Sequence, residues 1–174
     1  MILTDGLKTE IRDMMAQYPK PKSAILTALH RIQEEFGWCP PEAQREVAEL
    51  FDMEPGDVQS LVTFYYMYHR QPVGDYVLKV CRSISCWLRG STELIAHLEN
   101  KLGIKLGETT PDGKFTLIGG ECLAACTGAP CLQVNDRFHE NCTPSEADAL
   151  LVRLNAGDAH FPKAKQSWRA PSNG

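Results

Sequence analysis

Four cysteines, arranged as two widely separated pairs, constrain this chain more than any other feature of its sequence. The first pair, Cys81 and Cys86, has C-x4-C spacing, and the second pair, Cys122 and Cys126, has C-x3-C spacing. Each pair follows a β-like run, so two strands can bring all four thiols to one point. Four thiolates are a ligand set that suits zinc or an iron–sulfur cluster.

The spacing within the pairs favours an iron–sulfur cluster over zinc. Structural zinc sites more often use C-x2-C pairs, because one small ion needs a tight chelate. A cluster with two irons is wider and accepts longer spacings. The residues therefore indicate an iron–sulfur cluster and leave zinc as the alternative.

The length and composition indicate a soluble globular protein in a reducing compartment. The chain has 174 residues and a net charge of −4, and it has no apolar run near the roughly 20 residues that a membrane helix needs. Its first five residues resemble neither a signal peptide nor an Arg-rich transit peptide. The seven cysteines are an odd number, which argues against a purely disulfide-bonded framework. We expect a cytoplasmic protein with no membrane insertion and no nucleic-acid partner.

Residues 1–73 have the apolar spacing of helices. Four segments place apolar side chains on one helical face, and they are separated by proline or glycine. We predict Ser23 as the N-cap of the second helix and Asp57 as the N-cap of the fourth. The aromatic run at residues 64–68 is predicted to lie on the fourth helix, partly in the core and partly towards a partner. The prediction for residues 1–73 is a helical bundle domain.

Residues 74–155 combine strand and helix patterns. The predicted elements, in chain order, are a strand at 76–80, a helix from Ser91 to Leu102, a strand at 115–118, a hairpin at 132–139, and a helix capped by Thr143 or Ser145. A helical crossover between the first two strands implies a small sheet with helices packed on it. The predicted fold class is α+β, and residues 156–174 are predicted to be a flexible C-terminal tail.

Five short stretches resemble those of a known family: Thr63-Phe64-Tyr65, Cys81-Arg-Ser-Ile-Ser-Cys86, Glu121-Cys-Leu-Ala-Ala-Cys126, Gly128-Ala-Pro130 and Val134-Asn-Asp136. They are similar to the family of thioredoxin-like 2Fe–2S subunits of bacterial NADH:quinone oxidoreductase, respiratory complex I. The resemblance covers roughly residues 5–155.

The resemblance implies a helical bundle followed by a thioredoxin-like α/β domain that holds one 2Fe–2S cluster. It implies that Cys81, Cys86, Cys122 and Cys126 bind this cluster, and that the chain is an oxidoreductase subunit that transfers single electrons. FMN and NADH are expected on a larger partner subunit, since no G-x-G-x-x-G loop follows a strand in this chain. We expect further complex I subunits as partners, a peripheral position on the cytoplasmic face of the bacterial inner membrane, and no NADH dehydrogenase activity from the isolated chain.

One residue departs from the family pattern. Family members commonly have Gly between the last two ligands, as C-x-G-x-C, and this chain has Ala124 there. Gly permits a positive φ and a close approach of the backbone to a sulfide. Ala124 therefore calls the local backbone shape and one N–H···S bond into question, although it removes no ligand.

Other functions agree less well with the sequence. A helix-turn-helix over residues 47–65 would indicate a redox-sensing transcription factor, but its recognition helix has no Lys or Arg before Arg70, so phosphate contacts would be missing. A thioredoxin-type oxidoreductase needs C-x-x-C, which neither pair provides. The equivalent subunit of an NAD-linked hydrogenase or formate dehydrogenase and a free-standing ferredoxin are the remaining alternatives.

Three cysteines and the histidines stand outside the predicted site. Cys39, Cys131 and Cys142 are expected to be buried apolar residues or unpaired surface thiols. The five histidines have no metal-chelating spacing. We expect none of these residues to bind the cluster.

Overall fold

The computed structural model describes residues 1–164, and its internal contacts separate a helical unit at residues 1–72 from a second unit that begins at Val73. Four helices build the first unit: α1 (Asp5–Ala16), α2 (Ile25–Phe36), α3 (Pro41–Phe51) and α4 (Pro55–Phe64). Their apolar faces meet in one core that includes Ile11, Leu29, Ile32, Val47 and Val58. No helix in residues 1–164 is long and apolar enough to cross a membrane.

Two helix ends in the first unit follow from local hydrogen bonding. The Thr4 hydroxyl accepts a hydrogen bond from the Leu7 N–H and caps the start of α1. Helix α2 ends at Gly37, whose φ of +80° is the left-handed conformation expected of a glycine after a helix. The predicted end of the second helix is therefore confirmed.

Two predicted N-caps were wrong. Ser23 lies inside a short 3-10 helix (Pro21–Ala24) that precedes α2. Asp57 lies in the first turn of α4, because Pro55 begins that helix two residues earlier. A proline at the first helical position loses no intrahelical hydrogen bond, so it moves the helix start towards the N-terminus.

The aromatic run at residues 64–68 is only partly helical. Helix α4 ends at Phe64, and Tyr65 is extended, with φ −85° and ψ 106°. Tyr68 is buried, and its hydroxyl donates to the Leu26 carbonyl at 2.8 Å. Phe64 and Tyr66 are 79% and 66% exposed. The prediction of a helix through the whole run was wrong, while the prediction that part of the run is core is confirmed.

The second unit is built on a mixed four-stranded sheet. The strands are β1 (Tyr76–Cys81), β2 (Phe115–Gly120), β3 (Leu132–Val134) and β4 (Arg137–His139), and their order in the sheet is β2-β1-β3-β4. Strand β1 is parallel to β2 and antiparallel to β3, and β3 forms a hairpin with β4. Asn135, at the hairpin turn, has a φ of +53°, which asparagine tolerates better than most residues. The predicted α+β class and the predicted hairpin are confirmed.

Three helices complete the second unit: α5 (Ile84–Leu88), α6 (Ser91–Leu102) and α7 (Pro144–Asn155). Helices α6 and α7 cover one face of the sheet, where their buried residues Leu94, Leu98, Leu150 and Leu154 share a core with Leu78, Val80, Leu117 and Leu132. Helix α6 is the crossover between the parallel strands, as predicted. The Thr143 hydroxyl caps α7 by accepting from the Glu146 N–H, whereas the short α5 was not predicted.

Part of the predicted flexible tail is packed against the second unit. Phe161 is buried and belongs to the core of this unit. The Ala164 N–H donates to the Asp75 carbonyl at 2.7 Å, just before β1. The prediction was wrong for residues 156–164, because one buried aromatic side chain fixes a segment of otherwise loop-like composition. Residues 165–174 lie outside the described part of the chain.

Candidate metal centre

The four predicted cysteine ligands lie in two loops at the same edge of the sheet. Cys81 is the last residue of β1, and its partner in the parallel register is Gly120, the last residue of β2. Cys86 follows on α5, and Cys122 lies two positions beyond Gly120. Since parallel neighbouring strands run in the same direction, their carboxyl ends and both cysteine loops lie side by side.

Cys81 and Cys86 form the buried half of this site. Both side chains are shielded from solvent, and they pack with Leu123, Ala129 and Cys131 in a small apolar cluster. The Cys81 backbone N–H donates to the Cys131 carbonyl at 3.1 Å. The pairing of β1 with β3 therefore fixes the position of the first cysteine pair.

Hydrogen bonds to the Cys81 sulfur come from both cysteine loops. Burial disfavours its thiolate, but the backbone N–H groups of Leu123 and Ser83 donate to the Cys81 Sγ and lower its pKa below the ordinary value. The side chains of Cys86 and Ser83 act in the same direction. Because Leu123 directly follows Cys122, its N–H group brings the second loop against the first.

The pKa of Cys86 is shifted in the opposite direction. Burial raises the pKa of its thiol to about 11, and a hydrogen bond from the Cys131 N–H partly opposes this. The neighbouring Cys81 and Cys126 thiols raise the pKa of Cys86 as well. Cys126 of the second loop is therefore close enough to interact electrostatically with the first pair. Neighbouring thiolates repel each other, so ionising them together calls for a cation among them, as a metal centre provides.

Cys122 and Cys126 form the exposed half of the site. Between them, Ala124 has a φ of +59°, and its backbone N–H donates to the Cys122 Sγ at 3.4 Å. The left-handed conformation that suits glycine is thus kept with alanine, at a cost of about 1 kcal/mol. Both the backbone shape and the N–H···S bond that the substitution called into question are present.

The donors at this sheet edge are chemically suited to an iron–sulfur cluster. Soft thiolates select zinc or iron–sulfur groups, and a [2Fe–2S] cluster takes four of them. The structure brings the two pairs to one edge, but in residues 1–164 it forms no group of three or more His, Cys, Asp or Glu that could hold a metal ion. The assignment of all four cysteines as ligands therefore stays a prediction.

Charged side chains border the two cysteine loops. Arg82 forms an ion pair with Glu121 at 3.4 Å, and both side chains are exposed, so the pair adds little stability. Glu140 lies against Gly128, where an added Cβ would come within 2.5 Å of the Glu140 Cβ. Glycine at position 128 therefore allows a carboxylate to pack two residues from Cys126.

The remaining cysteines differ in their distance from the site. Cys39 and Cys142 are buried, and burial raises the pKa of each thiol to about 12. Cys131 is also buried, as expected, but it packs directly against Cys81 and Cys86. This proximity was not predicted from the sequence. The proximity follows from the pairing of β1 with β3, because Cys131 immediately precedes β3.

Comparisons with known proteins identify relatives over most of the chain. The sequence profile of the family described as "Thioredoxin-like [2Fe-2S] ferredoxin" matches residues 11–155. An NADH-quinone oxidoreductase subunit of Rhizobium meliloti is 44% identical over 152 residues, which cover 87% of this chain and 90% of that protein. NADH-quinone oxidoreductase subunit 2 of Thermus thermophilus is 41% identical over 156 residues, which cover 88% and 86%. These matches include both structural units.

A solved structure shows the same fold in a larger chain. The crystal structure of an NAD+-reducing [NiFe]-hydrogenase in the air-oxidized state matches 79% of this chain, with a TM-score of 0.69 and 22% identity. The match covers 24% of that hydrogenase chain. At this identity the likeness concerns the fold alone.

Proposed function

Because the chain belongs to the thioredoxin-like [2Fe-2S] ferredoxin family, we propose that it is an electron-transfer subunit of an NADH:quinone oxidoreductase. One [2Fe-2S] cluster is bound by Cys81, Cys86, Cys122 and Cys126. The cluster exchanges single electrons with the FMN of a partner subunit. The isolated chain has no NADH dehydrogenase activity of its own.

The observation that carries this proposal is the contact between the two cysteine loops. Leu123 of the second loop packs with Cys81 and Cys86 of the first in one buried cluster, and its N–H group donates to the Cys81 sulfur. Cys126 also interacts with Cys86 across the loops, through the electrostatics of their thiols. This contact supports the proposal that two cysteine pairs separated by 35 residues bind one cluster.

The protein prepares the site by supplying hydrogen-bond donors to sulfur. A [2Fe-2S] cluster, when bound, accepts and releases one electron at a time. Backbone N–H groups of Ser83, Ala124 and Cys131 point to three different cysteine sulfurs. Such donors stabilise negative charge on the ligands and, with burial and net charge, set the reduction potential.

The proposed partner is a larger subunit that binds FMN and NADH, together with further subunits of the same complex. Residues 1–73 are proposed to contact this flavin-carrying partner, while residues 74–155 hold the cluster. Exposed Phe64 and Tyr66 support a contact through the first unit, since aromatic side chains are enriched at interfaces. The complex is proposed to lie on the cytoplasmic face of a bacterial inner membrane.

The experiment that tests the proposal is anaerobic purification of the full chain, alone and with its native partners. We expect about two irons and two acid-labile sulfides per chain, as a binuclear cluster requires. We expect the co-purifying proteins to include an FMN-binding subunit. Stoichiometric zinc without labile sulfide would contradict the cofactor, and co-purification with hydrogenase or formate dehydrogenase subunits would contradict the complex.

A further inference from the structure

Lys79, in strand β1, is buried on the same face of the sheet as the first cysteine of the site. Successive side chains of a strand point to opposite faces. Leu78 and Val80 belong to the core beneath α6 and α7, whereas Cys81 packs with Leu123 in the small apolar cluster at the cysteine loops. The Lys79 side chain therefore lies on the side of Cys81, and only 7% of the residue's surface is exposed.

The Lys79 side chain leans along the sheet towards the cysteine loops. In the parallel register Lys79 is opposite Ile118, and Cys81 is opposite Gly120. A Cβ added at Gly120 would lie 2.8 Å from the Lys79 Cγ and 3.1 Å from its Cδ. The aliphatic part of the side chain thus reaches the level of Cys81, and the ammonium group lies one carbon beyond Cδ.

Glycine at position 120 makes this path possible. The same added Cβ would lie 3.6 Å from the Leu123 Cδ2, and Leu123 is the residue whose N–H donates to the Cys81 sulfur. Because non-bonded carbon atoms pack about 3.5–4.0 Å apart, a side chain at position 120 would displace the lysine. Gly120 therefore leaves the space that Lys79 occupies beside Leu123.

A buried ammonium at this place favours negative charge on the neighbouring sulfurs. Charges interact several times more strongly through protein than through water. Burial lowers the pKa of Lys79, as it does for any ammonium that loses contact with water. Reduction adds one electron to a bound cluster, and net charge is among the properties that set its potential. A positive charge beside the site therefore makes reduction more favourable.

Arg82 is a second cation beside the site, and its surroundings differ. Its side chain crosses Gly119, where an added Cβ would lie 2.6 Å from the Arg82 Nε. Half of the Arg82 side chain is exposed, and its guanidinium pairs with Glu121 at 3.4 Å. Salt and water screen an exposed charge, and the carboxylate offsets it. Of these two cations, Lys79 should have the larger effect on the site.

We propose that Lys79 raises the reduction potential of the cluster through its buried positive charge. This inference rests on the proposed function, because it requires a cluster bound at the two cysteine loops. It adds a charged side chain to the N–H groups that donate to the cysteine sulfurs. Lys79 acts on the potential through the electric field at the site, and Gly120 keeps it in place.

The test is a redox titration of the cluster-loaded full chain at pH 7, followed by the EPR signal of the reduced cluster. Lys79→Met keeps the aliphatic part of the side chain and removes the charge. We expect the equilibrium constant for one-electron reduction to fall at least about tenfold, which lowers the potential by about 59 mV. Lys79→Arg keeps the charge and should titrate close to the unchanged chain.

The matched control is Lys114→Met, at the other end of the sheet. Lys114 directly precedes β2, and Gly120 is the last residue of that strand. At about 3.3 Å per residue the two positions are roughly 20 Å apart, beyond the screening length of about 8–10 Å. The control should keep the potential of the unchanged chain, and an equal fall in the control would overturn the assignment to Lys79. Iron and labile sulfide contents should be equal in all four proteins.

The outcomes separate this inference from the proposed function. If the unchanged chain holds no iron and labile sulfide, the proposed function fails, and the role of Lys79 fails with it. If the cluster is present and Lys79→Met titrates at the same potential, only the role of Lys79 is overturned. An equal fall in Lys79→Arg would assign the effect to packing rather than charge and would also overturn it. Should Lys79→Met lose iron, Lys79→Gln provides the same measurement, and loss of iron from both would make Lys79 a structural residue and overturn the proposal.

Discussion

The backbone N–H of Ala124 lies 3.4 Å from the Sγ of Cys122, in a left-handed turn that an alanine seldom adopts. Glycine adopts such a conformation at no steric cost. The chain therefore keeps the hydrogen bond and accepts the conformational cost of the alanine. This balance leads to a prediction about stability and reduction potential.

Ala124→Gly is expected to raise the free energy of unfolding by up to about 1 kcal/mol, because glycine adopts a positive φ without the cost that alanine carries. The reduction potential should shift by less than roughly 40 mV, the effect of gaining or losing one hydrogen bond of about 1 kcal/mol in a one-electron couple. Thermal unfolding and a redox titration measure the two quantities. The control is Ala125→Gly, where φ is −105°, and it should destabilise the protein. A potential shift above that limit for Ala124→Gly would show that alanine distorts the hydrogen bond.

Serine substitutions separate the proposed ligands from the other cysteines. Replacing any one of Cys81, Cys86, Cys122 and Cys126 should abolish or strongly change the EPR signal of the reduced cluster, because a thiolate ligand to iron is lost. Cys39→Ser and Cys142→Ser should leave the signal nearly intact.

Cys131→Ser is the most informative of these variants. The Cys131 side chain packs against Cys81 and Cys86, but its contact with the Cys86 sulfur is made by its backbone N–H, which serine retains. We expect the EPR signal and the iron content to persist. Loss of the cluster from this variant alone would mean that Cys131 is a ligand and that one of the four assigned cysteines is not.

Several features of the fold that depend on local interactions were predicted from the sequence, whereas features that depend on tertiary contacts were not. Gly37 and the Asn135-Asp136 turn act through their own backbone preferences, and the second helix end and the hairpin were predicted correctly. The caps of α2 and α4 were not, because Pro21 and Pro55 begin helical turns ahead of the polar residues chosen. No apolar pattern surrounds Phe161 in the sequence. Only the burial of its side chain in the folded protein shows that residues 156–164 pack against the second unit.

The candidate site could be predicted only in part. The spacing of the cysteines and the strands before them place both pairs at one sheet edge, as the register of Cys81 with Gly120 shows. Helix α5 has five residues, too few for helical periodicity to appear in the sequence. The position of Cys131 beside the site depends on long-range pairing of β1 with β3, and no local pattern encodes it.

The buried thiols outside the proposed ligand set predict a pattern of chemical modification. Burial raises the pKa of Cys39 and Cys142 to about 12, so at pH 8 both are protonated in the folded chain and react slowly with iodoacetamide. In the unfolded chain their pKa returns to an ordinary value near 8.5, and both should react. Mass spectrometry of the alkylated protein measures this difference. Exposed Cys122 and Cys126 should react in cluster-free protein and be protected in cluster-loaded protein.

The same shifts determine how stability depends on pH. A thiol whose pKa is higher in the folded than in the unfolded chain binds its proton more tightly in the folded chain. It therefore contributes its full stabilisation of the folded state at pH values below its unfolded pKa. The contribution of Cys39 and Cys142 is lost as the pH rises from about 8.5 towards 12. Denaturant unfolding at pH 8 and pH 10 should show lower stability at pH 10, and Cys39→Ala should reduce that difference. An unchanged difference would exclude Cys39 as a cause.

Gly128→Ala is expected to destabilise the second unit by about 1–3 kcal/mol, the usual cost of overpacking, because the added Cβ would overlap Glu140. Combining it with Glu140→Gly should recover much of this loss, since both the carboxylate and the Cβ of Glu140 are then removed. Denaturant unfolding of the two single variants and the double variant measures the coupling. The control is Gly56→Ala in α4, where a new Cβ meets nothing within 4 Å. If Gly128→Ala lowers the free energy of unfolding equally with and without the Glu140 side chain, contact with Glu140 is not the cause of the destabilisation.

Deleting residues 1–73 should leave a domain that still binds the cluster, because the second unit has its own core and contains all four proposed ligands. Its affinity for the flavin-carrying partner should fall at least about tenfold, or about 1.4 kcal/mol, if the first unit contributes to the interface. Iron analysis and a binding titration against the full chain test the two parts separately. Unchanged affinity would confine the interface to the cluster domain. Loss of the cluster would mean that the two units depend on each other for folding.

The crossover helix α6 lies within the 35 residues that separate Cys86 from Cys122. If all four thiols bind one cluster as proposed, the cluster links Cys86 to Cys122. The chain between these two residues then forms a closed ring. A disulfide closing a ring of this size would restrict the unfolded chain by about 4 kcal/mol in the chain-entropy model, and metal binding is coupled to folding in a comparable way. Oxidative loss of the cluster would then open the ring as well as remove an electron carrier. Chains that have lost the cluster would accordingly be cleaved by proteases between residues 86 and 122.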